Sequence, residues 1–156
     1  MPRGKQITKE AKEPDSKYKS KVVAKFINMV MNSGKKSLAQ KIVYNALESV
    51  NKDDVKEARV YFEDAVKNLM PEVEVRSRRV GGANYQIPVP VKYDRSETLA
   101  LRWLISAARG RKGTPMSQKL ASEITLAHNN EGSAIKKKLD TKRMAEANRA
   151  FSHFRY

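Results

Sequence analysis

The stretch from Val73 to Val91, VEVRSRRVGGANYQIPVPV, constrains the fold most. Two short alternating runs flank a Gly-Gly pair, the signature of a β-hairpin. On the first strand Val73, Val75 and Ser77 share one face, and Glu74, Arg76 and Arg78 the other. On the second, Tyr85, Ile87, Val89 and Val91 share a face, with Pro88 and Pro90 at alternate positions. A proline has no N–H for a ladder, so both nitrogens must be turned away from the partner strand. Residues two apart in an antiparallel pair aim their backbone groups the same way. The second strand therefore has room for a neighbour on one side only. The expectation is a free two-stranded ribbon, basic near its tip through Arg76, Arg78 and Arg79. Such a ribbon is weakly stable alone in water, and a polyanionic surface is its natural partner.

Composition supports that partner. Thirty-two Lys and Arg face 17 Asp and Glu, a net charge of +15 in 156 residues. The excess is segregated: residues 1–25 carry eight basic against three acidic side chains, and residues 132–156 seven against two. Residues 51–71 carry four against five and are close to neutral. A merely soluble basic protein needs no such segregation, whereas a nucleic-acid footprint does. The length suits one domain with a real core. No apolar run is long enough for a membrane span, and the amino-terminal residues lack the apolar centre of a secretory signal. Cysteine is absent, which excludes disulfides and thiolate metal sites and is compatible with a reducing compartment. Two histidines, His128 and His153, are too few for a histidine metal cluster. No metal or other cofactor is expected.

Hydrophobic spacing predicts a mainly α fold, a six-helix domain with one protruding two-stranded hairpin. Residues 1–19 read as a flexible basic arm. Helices 1–3 fall in residues 20–70, the hairpin in 72–92 and helices 4–6 in 94–154. The first helix starts near Ser20, carries Val22, Val23, Phe26, Ile27 and Val30, and stops at Asn32-Ser33-Gly34, with Gly34 as a left-handed cap. The second spans roughly Lys36 to Val50. Asp54 with Glu57 starts the third, which Pro71 ends. Asp94 with Glu97 repeats that start signal for the fourth. Thr114 caps the fifth, with Pro115 at its first position. The sixth spans about Ser133 to Phe151. Met144, Ala147, Phe151 and Phe154 mark its apolar side, and Lys138, Lys142 and Arg149 share another face.

The fourth helix is apolar almost all round, through Leu99, Ala100, Leu101, Trp103, Leu104, Ile105, Ala107 and Ala108. Such a helix is central to a fold. Its polar residues form one narrow stripe of Arg95, Thr98, Arg102, Ser106 and Arg109, with about 10 Å between successive arginines. A strip of Arg, Ser and Thr without an acid faces phosphates better than it faces water.

Tests for catalytic chemistry find little. Gly34-Lys35-Lys36-Ser37 lacks the earlier glycine of a nucleotide-binding loop, since Met29 holds that place, and no strand precedes it. The amides at the start of the second helix, with Lys35 and Lys36, could still hold a phosphate of a larger ligand. Gly110-Arg111-Lys112-Gly113 matches the GXXG loop of KH domains, but that fold needs strand where this chain offers helix. The acidic pairs sit at a strand start (Glu72, Glu74) and a helix cap (Asp53, Asp54), and no nucleophile elbow or His-Glu-x-x-His is present. Tyr85 and Tyr93 either stack on bases or pack the hairpin on the helices. The chain is expected not to be an enzyme. Alternatives are a nucleoid protein bending DNA with a basic β-arm, a KH-like RNA-binding module and an RNA-modifying enzyme.

Six segments in order then resemble one family along nearly the whole chain. They are MPR at Met1–Arg3, GKK-S at Gly34–Ser37, IVYNALE at Ile42–Glu48, SRRVGGANYQIPV at Ser77–Val89, LRWLISAAR at Leu101–Arg109 and KRMAEANRAFSHFRY at Lys142–Tyr156. The family is bacterial-type small-subunit ribosomal protein seven. The resemblance implies a primary binder of small-subunit (16S) rRNA that nucleates head assembly through the 3′ major domain. It implies a place at the subunit interface near the decoding centre, with hairpin and last helix by the exit-site tRNA. The messenger path and small-subunit protein number eleven would lie nearby. By position it implies rRNA contacts at Arg3, Lys5, Lys35, Lys36, Arg76, Arg78, Arg79, Arg95, Arg102, Arg109 and Arg111. It implies tRNA-side contacts at Gly81, Gly82, Asn84, Tyr85, Arg143 and Arg149.

Three departures stand out. Gly4 replaces a common Arg, Lys92-Tyr93-Asp94-Arg95 replaces a run richer in arginine, and Ala83-Asn84 varies a turn that is often Ser-Thr. The lack of an amino-terminal transit extension points to a bacterium or a plastid-encoded gene, hence a cytoplasmic or stromal ribosome.

Overall fold

Helical periodicity, proline punctuation and the Gly-Gly turn are realised in a computed structural model that describes residues 13–50 and 54–155. The order is α1 (Lys21–Val30), α2 (Lys36–Val50), α3 (Val55–Leu69), β1 (Val73–Val80), β2 (Ala83–Pro90), α4 (Tyr93–Gly110), α5 (Met116–His128) and α6 (Gly132–Ala147). A 3₁₀ segment, Arg149–Arg155, follows α6. Among the described residues the strands form only the two-stranded sheet β1-β2. The residues after α5 are helical, which removes the KH-like alternative.

One apolar core joins the first five helices and the start of α6. Ala100, Leu101, Leu104 and Ala108 of α4 are fully buried, as the all-round apolar pattern requires. Phe26 of α1 and Phe62 of α3 meet at its centre, ring centroids 5.0 Å apart. Leu47, Leu69, Leu120 and Ile124 are among the other fully buried side chains. Trp103 and Ala107 are only half-buried on α4.

The helix starts differ in how they are capped. Ser20 accepts from the Val23 amide and Asp54 from the Lys56 amide, as their side chains suit them to do. The start expected at Asp94 falls earlier, because α4 begins at Tyr93 behind Lys92 with no side-chain cap. There the Ser96 hydroxyl donates to the Pro71 carbonyl, 2.7 Å, tying the first turn of α4 to the end of α3. The cap expected from Thr114 is likewise displaced: Pro115 takes the N-cap place of α5. Gly34 is left-handed, φ +74°, but caps no helix. It shares the α1–α2 turn with Ser33, while Met31 closes α1.

The basic arm expected over residues 1–19 is folded at its body end. Residues 1–12, with Arg3 and Lys5, lie outside the described residues. Asp15 is buried, and its carboxylate accepts from the Lys17 and Tyr18 amides and from the Tyr44 hydroxyl at 2.9 Å. Tyr18 packs edge-on against Tyr44 with centroids 5.5 Å apart. Its hydroxyl is buried without a partner among the described residues.

Burial, then the charges of Glu48, Tyr44 and Asp15, push the Tyr18 hydroxyl up to about 12. An unfolded chain releases that proton near pH 10. Between those values the unfolded state holds fewer protons, so stability falls as pH rises. The contribution is intact below about pH 10 and lost through about pH 12. Tyr18→Phe is expected to remove this alkaline component, read as a smaller drop in urea midpoint between about pH 9 and about pH 11 than in the parent chain.

The last helix ends sooner than its spacing suggests. α6 stops at Ala147, Asn148 caps it, and the expected continuation to Phe151 is 3₁₀ instead. Residues three apart eclipse in a 3₁₀ turn, which brings Phe151 and Phe154 into line. Both rings meet Tyr85 of β2, at 5.3 and 5.0 Å. Met144 and Ala147, expected on the apolar side, are exposed, and Ala145 is buried in their place.

Candidate nucleic-acid interface

The Gly81-Gly82 turn has φ of +57° and +90°, the left-handed pair that a two-residue hairpin turn requires. Pairing runs from Val80 opposite Ala83 to Val73 opposite Pro90. The Val91 amide donates to the Glu72 carbonyl, 2.9 Å, so Val89 and Ile87 also aim their amides at β1 while Pro88 and Pro90 aim away. The prolines sit where the alternation required them.

The ribbon is not free, however. Its face of Glu74, Arg76 and Arg78 opposes Val89, Ile87 and Tyr85, and this is the face that meets the body. Ile87 and Glu74 are buried there. The Glu74 carboxylate accepts from Arg76 Nε at 2.6 Å and from Arg95 Nη2 at 3.3 Å. One acid thus anchors the base of β1 to the start of α4 and holds two guanidinium groups side by side. Near the tip, Arg78 Nη1 donates to the Phe154 carbonyl, 3.0 Å.

Glu74→Ala removes that anchor and leaves two neighbouring cations. Expected is faster amide exchange in residues 73–90, with the exchange of α2 to α5 unchanged. Hydrogen exchange read by mass spectrometry checks it.

Along α4, Arg95, Arg102, Ser106 and Arg109 are exposed, and Thr98 is half-buried with its hydroxyl donating to the Asp94 carbonyl. Arg102 and Arg109 have no acidic partner among the described residues. With Met29, Ile105 and Ser106 they border a shallow depression of about 320 Å³. α1 runs beside α4 in the same direction, since Lys25 Nζ reaches Glu97 Oε1 at 2.6 Å and Met29 lies by Arg102 and Arg109. The α1–α2 turn, with Lys35 and Lys36 exposed, therefore stands at the Arg109 end. The amides of Lys35 and Lys36 are spent on Asn32 and Gly34 carbonyls, so a phosphate there would rest on the side chains.

Beyond α4, Arg111 Nε lies 2.6 Å from Glu123 Oε1. Glu123 is 2% exposed, and the sequence reading missed it. Its signal was present, because an acid between Leu120 and Ile124 lies within the apolar stripe of α5.

The expected contacts thus form two groups. Arg76, Arg95, Arg102, Arg109, Lys35 and Lys36 follow the α4 side of the body, with Arg111 past its end. Arg78, Arg79, Gly81, Gly82 and Asn84 are exposed on the ribbon, and Arg143 and Arg149 on α6 and the 3₁₀ segment. Tyr85 belongs to the second group by place, but its ring is already engaged by Phe151 and Phe154. Tyr93 stays 65% exposed. Lys138 is drawn out of the basic face of α6, since its Nζ donates to the Asn68 carbonyl at 2.6 Å. Among the described residues no helix is long and apolar enough to cross a membrane.

Comparison with known proteins fits this arrangement. The family model for ribosomal protein S7p/S5e matches residues 2–149. Small ribosomal subunit protein uS7 of Clostridium perfringens is 51% identical over 156 residues, all of both chains. Its counterpart in Pelotomaculum thermopropionicum is 53% identical over the same span, and that of Thermotoga petrophila 56% over 143 residues, 92% of each chain. The relatives are structural components of the ribosome and not enzymes. With this fold, this strip of cations and this likeness over the whole length, the chain belongs to the S7p/S5e family of small-subunit ribosomal proteins.

Proposed function

We propose that this chain binds small-subunit rRNA directly and nucleates assembly of the subunit head through the 3′ major domain. The observation that carries the reading is the pair of unpaired arginines on α4, fixed on a helix whose other side lies in the core, and continued by Lys35 and Lys36. A rigid row of cations releases counterions from a phosphate backbone and sets orientation. Folded RNA presents a deep groove that excludes side chains, so recognition falls to shape and unpaired loops. The names of the relatives, small ribosomal subunit protein uS7, support the same place of work, the small subunit of a cytoplasmic ribosome.

The test combines two measurements. Tagged protein in a sucrose gradient is expected with small subunits, protecting head-region nucleotides from chemical probes. The purified protein is expected to bind a 3′ major domain fragment in the presence of excess duplex DNA. Loss of binding to that competitor would favour a DNA-bending role and overturn the reading.

The finer assignment places the ribbon and the chain's last helical segments beside the exit-site tRNA, close to the messenger path and small-subunit protein number eleven. Gly81, Gly82, Asn84, Arg143 and Arg149 are the exposed residues that suit it. Deleting residues 78–85 and closing the chain with a short turn is expected to leave cooperative melting of the helices intact and to lower tRNA retention at the exit site. Non-cooperative melting of that variant would make the ribbon a structural element instead.

A further inference from the structure

We infer that a groove between α4, the loop after it and α6 is a subsite for one unstacked ribonucleotide, adjoining the arginine strip at Ser106. The inference rests on the RNA-binding reading above. The groove measures about 520 Å³, and Trp103, Ser106, Arg111, Glu123 and Lys137 are among its lining. That volume lies in the range of sites for small ligands.

Trp103 is the anomaly. It occupies a helix whose neighbouring Leu101 and Leu104 are fully buried, yet it stands half-exposed at this groove. Its indole N–H has no partner among the described residues. A tryptophan face at a cationic rim is a stacking platform for a base, whatever its sequence. Arg111 and Lys137 supply the rim, and Lys137 has no acidic partner among the described residues.

Glu123 sets the geometry. A buried carboxylate is costly unless paired, and here Oε1 holds the Nε of Arg111, which leaves the Nη groups of that guanidinium for a phosphate. Oε2 is buried with no donor among the described residues. A turn of the Glu123 side chain toward the groove brings this oxygen to the amino group of an adenine, cytosine or guanine, which supplies one. Ser106 borders both this groove and the depression of Arg102 and Arg109. A backbone seated on the arginines can therefore pass a single base over Ser106 and into the groove.

Trp103 is the only tryptophan of the chain, so intrinsic fluorescence reports this groove alone. The 3′ major domain fragment is titrated into the full-length protein while a gel shift follows total binding. Expected is quenching of Trp103 over the same concentrations as binding, with protection from acrylamide. Lys137→Ala is expected to weaken binding about three- to tenfold and to reduce the quench, while Lys136→Ala, an exposed neighbour outside the groove, changes neither. Full binding with Trp103 unquenched and open to acrylamide overturns the subsite and leaves the wider reading standing. Protection that appears only in assembled subunits, not with the RNA fragment, assigns the groove to a protein neighbour and also overturns it. No binding in the gel shift overturns both.

Discussion

Replacing Arg102 and Arg109 together by alanine is expected to weaken binding of the 3′ major domain fragment by about ten- to a hundredfold at low salt. The slope of log affinity against log salt should flatten by about 1.4 to 1.8, the counterions of two phosphate contacts. Both side chains are exposed and neither is neutralised by an acid among the described residues, so each brings its whole charge to the RNA. Both also stand on a helix that cannot shift without opening the core, because Leu101, Leu104 and Ala108 are fully buried beneath them. Arg95→Ala is expected to cost less, since Glu74 already shares that guanidinium with β1. Thermal melting should stay unchanged in the double variant. A salt slope equal to that of the parent chain would show that no phosphate lies there.

The second large effect is on stability. Phe62→Ala is expected to lower the unfolding free energy by about 3–5 kcal/mol, the cost of lost burial plus the cavity left behind. Phe62 has no exposed surface and joins α3 to α1 through the Phe26 ring. Against a typical total of about 5–15 kcal/mol, that places the variant near the edge of folding. Urea unfolding followed by circular dichroism should show a lower midpoint with the denaturant slope retained. A loss below about 1 kcal/mol would mean that neighbouring side chains collapse into the space, and that the centre of the core lies elsewhere.

What could be read from the chain, and what could not, divides by distance along it. α2 begins and ends where its apolar spacing places it, because its stripe is contiguous and a glycine turn precedes it. The alternation of Pro88 and Pro90 determined which edge of β2 could pair, since a missing N–H is a local fact. The arginines of α4 are exposed because beyond its first turn the other faces of that helix are apolar. Asp15 was lost in a polar stretch that resembles an arm, as its burial depends on the Tyr44 hydroxyl in α2. The Asp94–Glu97 pair has the same spacing as Asp54–Glu57, but only the latter starts a helix with a side-chain cap. At Asp94 the chain arrives from β2 with Val91 still bonded to Glu72, and the helix starts before the aspartate. Phe151 keeps helical spacing with Ala147, yet the contact that matters is with Tyr85 on the distant ribbon. The cationic character of the site was thus legible residue by residue. The particular RNA came from resemblance, since charge alone names no sequence.

The clasp of Tyr85 by Phe151 and Phe154 also sets an order of events in the cell. A chain is made from its amino terminus, and early parts acquire structure while later parts are still being added. Residues 73–90 are joined well before Phe151 and Phe154, so the ribbon is complete while its clasp is still to be added. Until those two rings are added Tyr85 lacks both aromatic partners, and the ribbon is held to the body through Glu74 and Ile87 at its base alone.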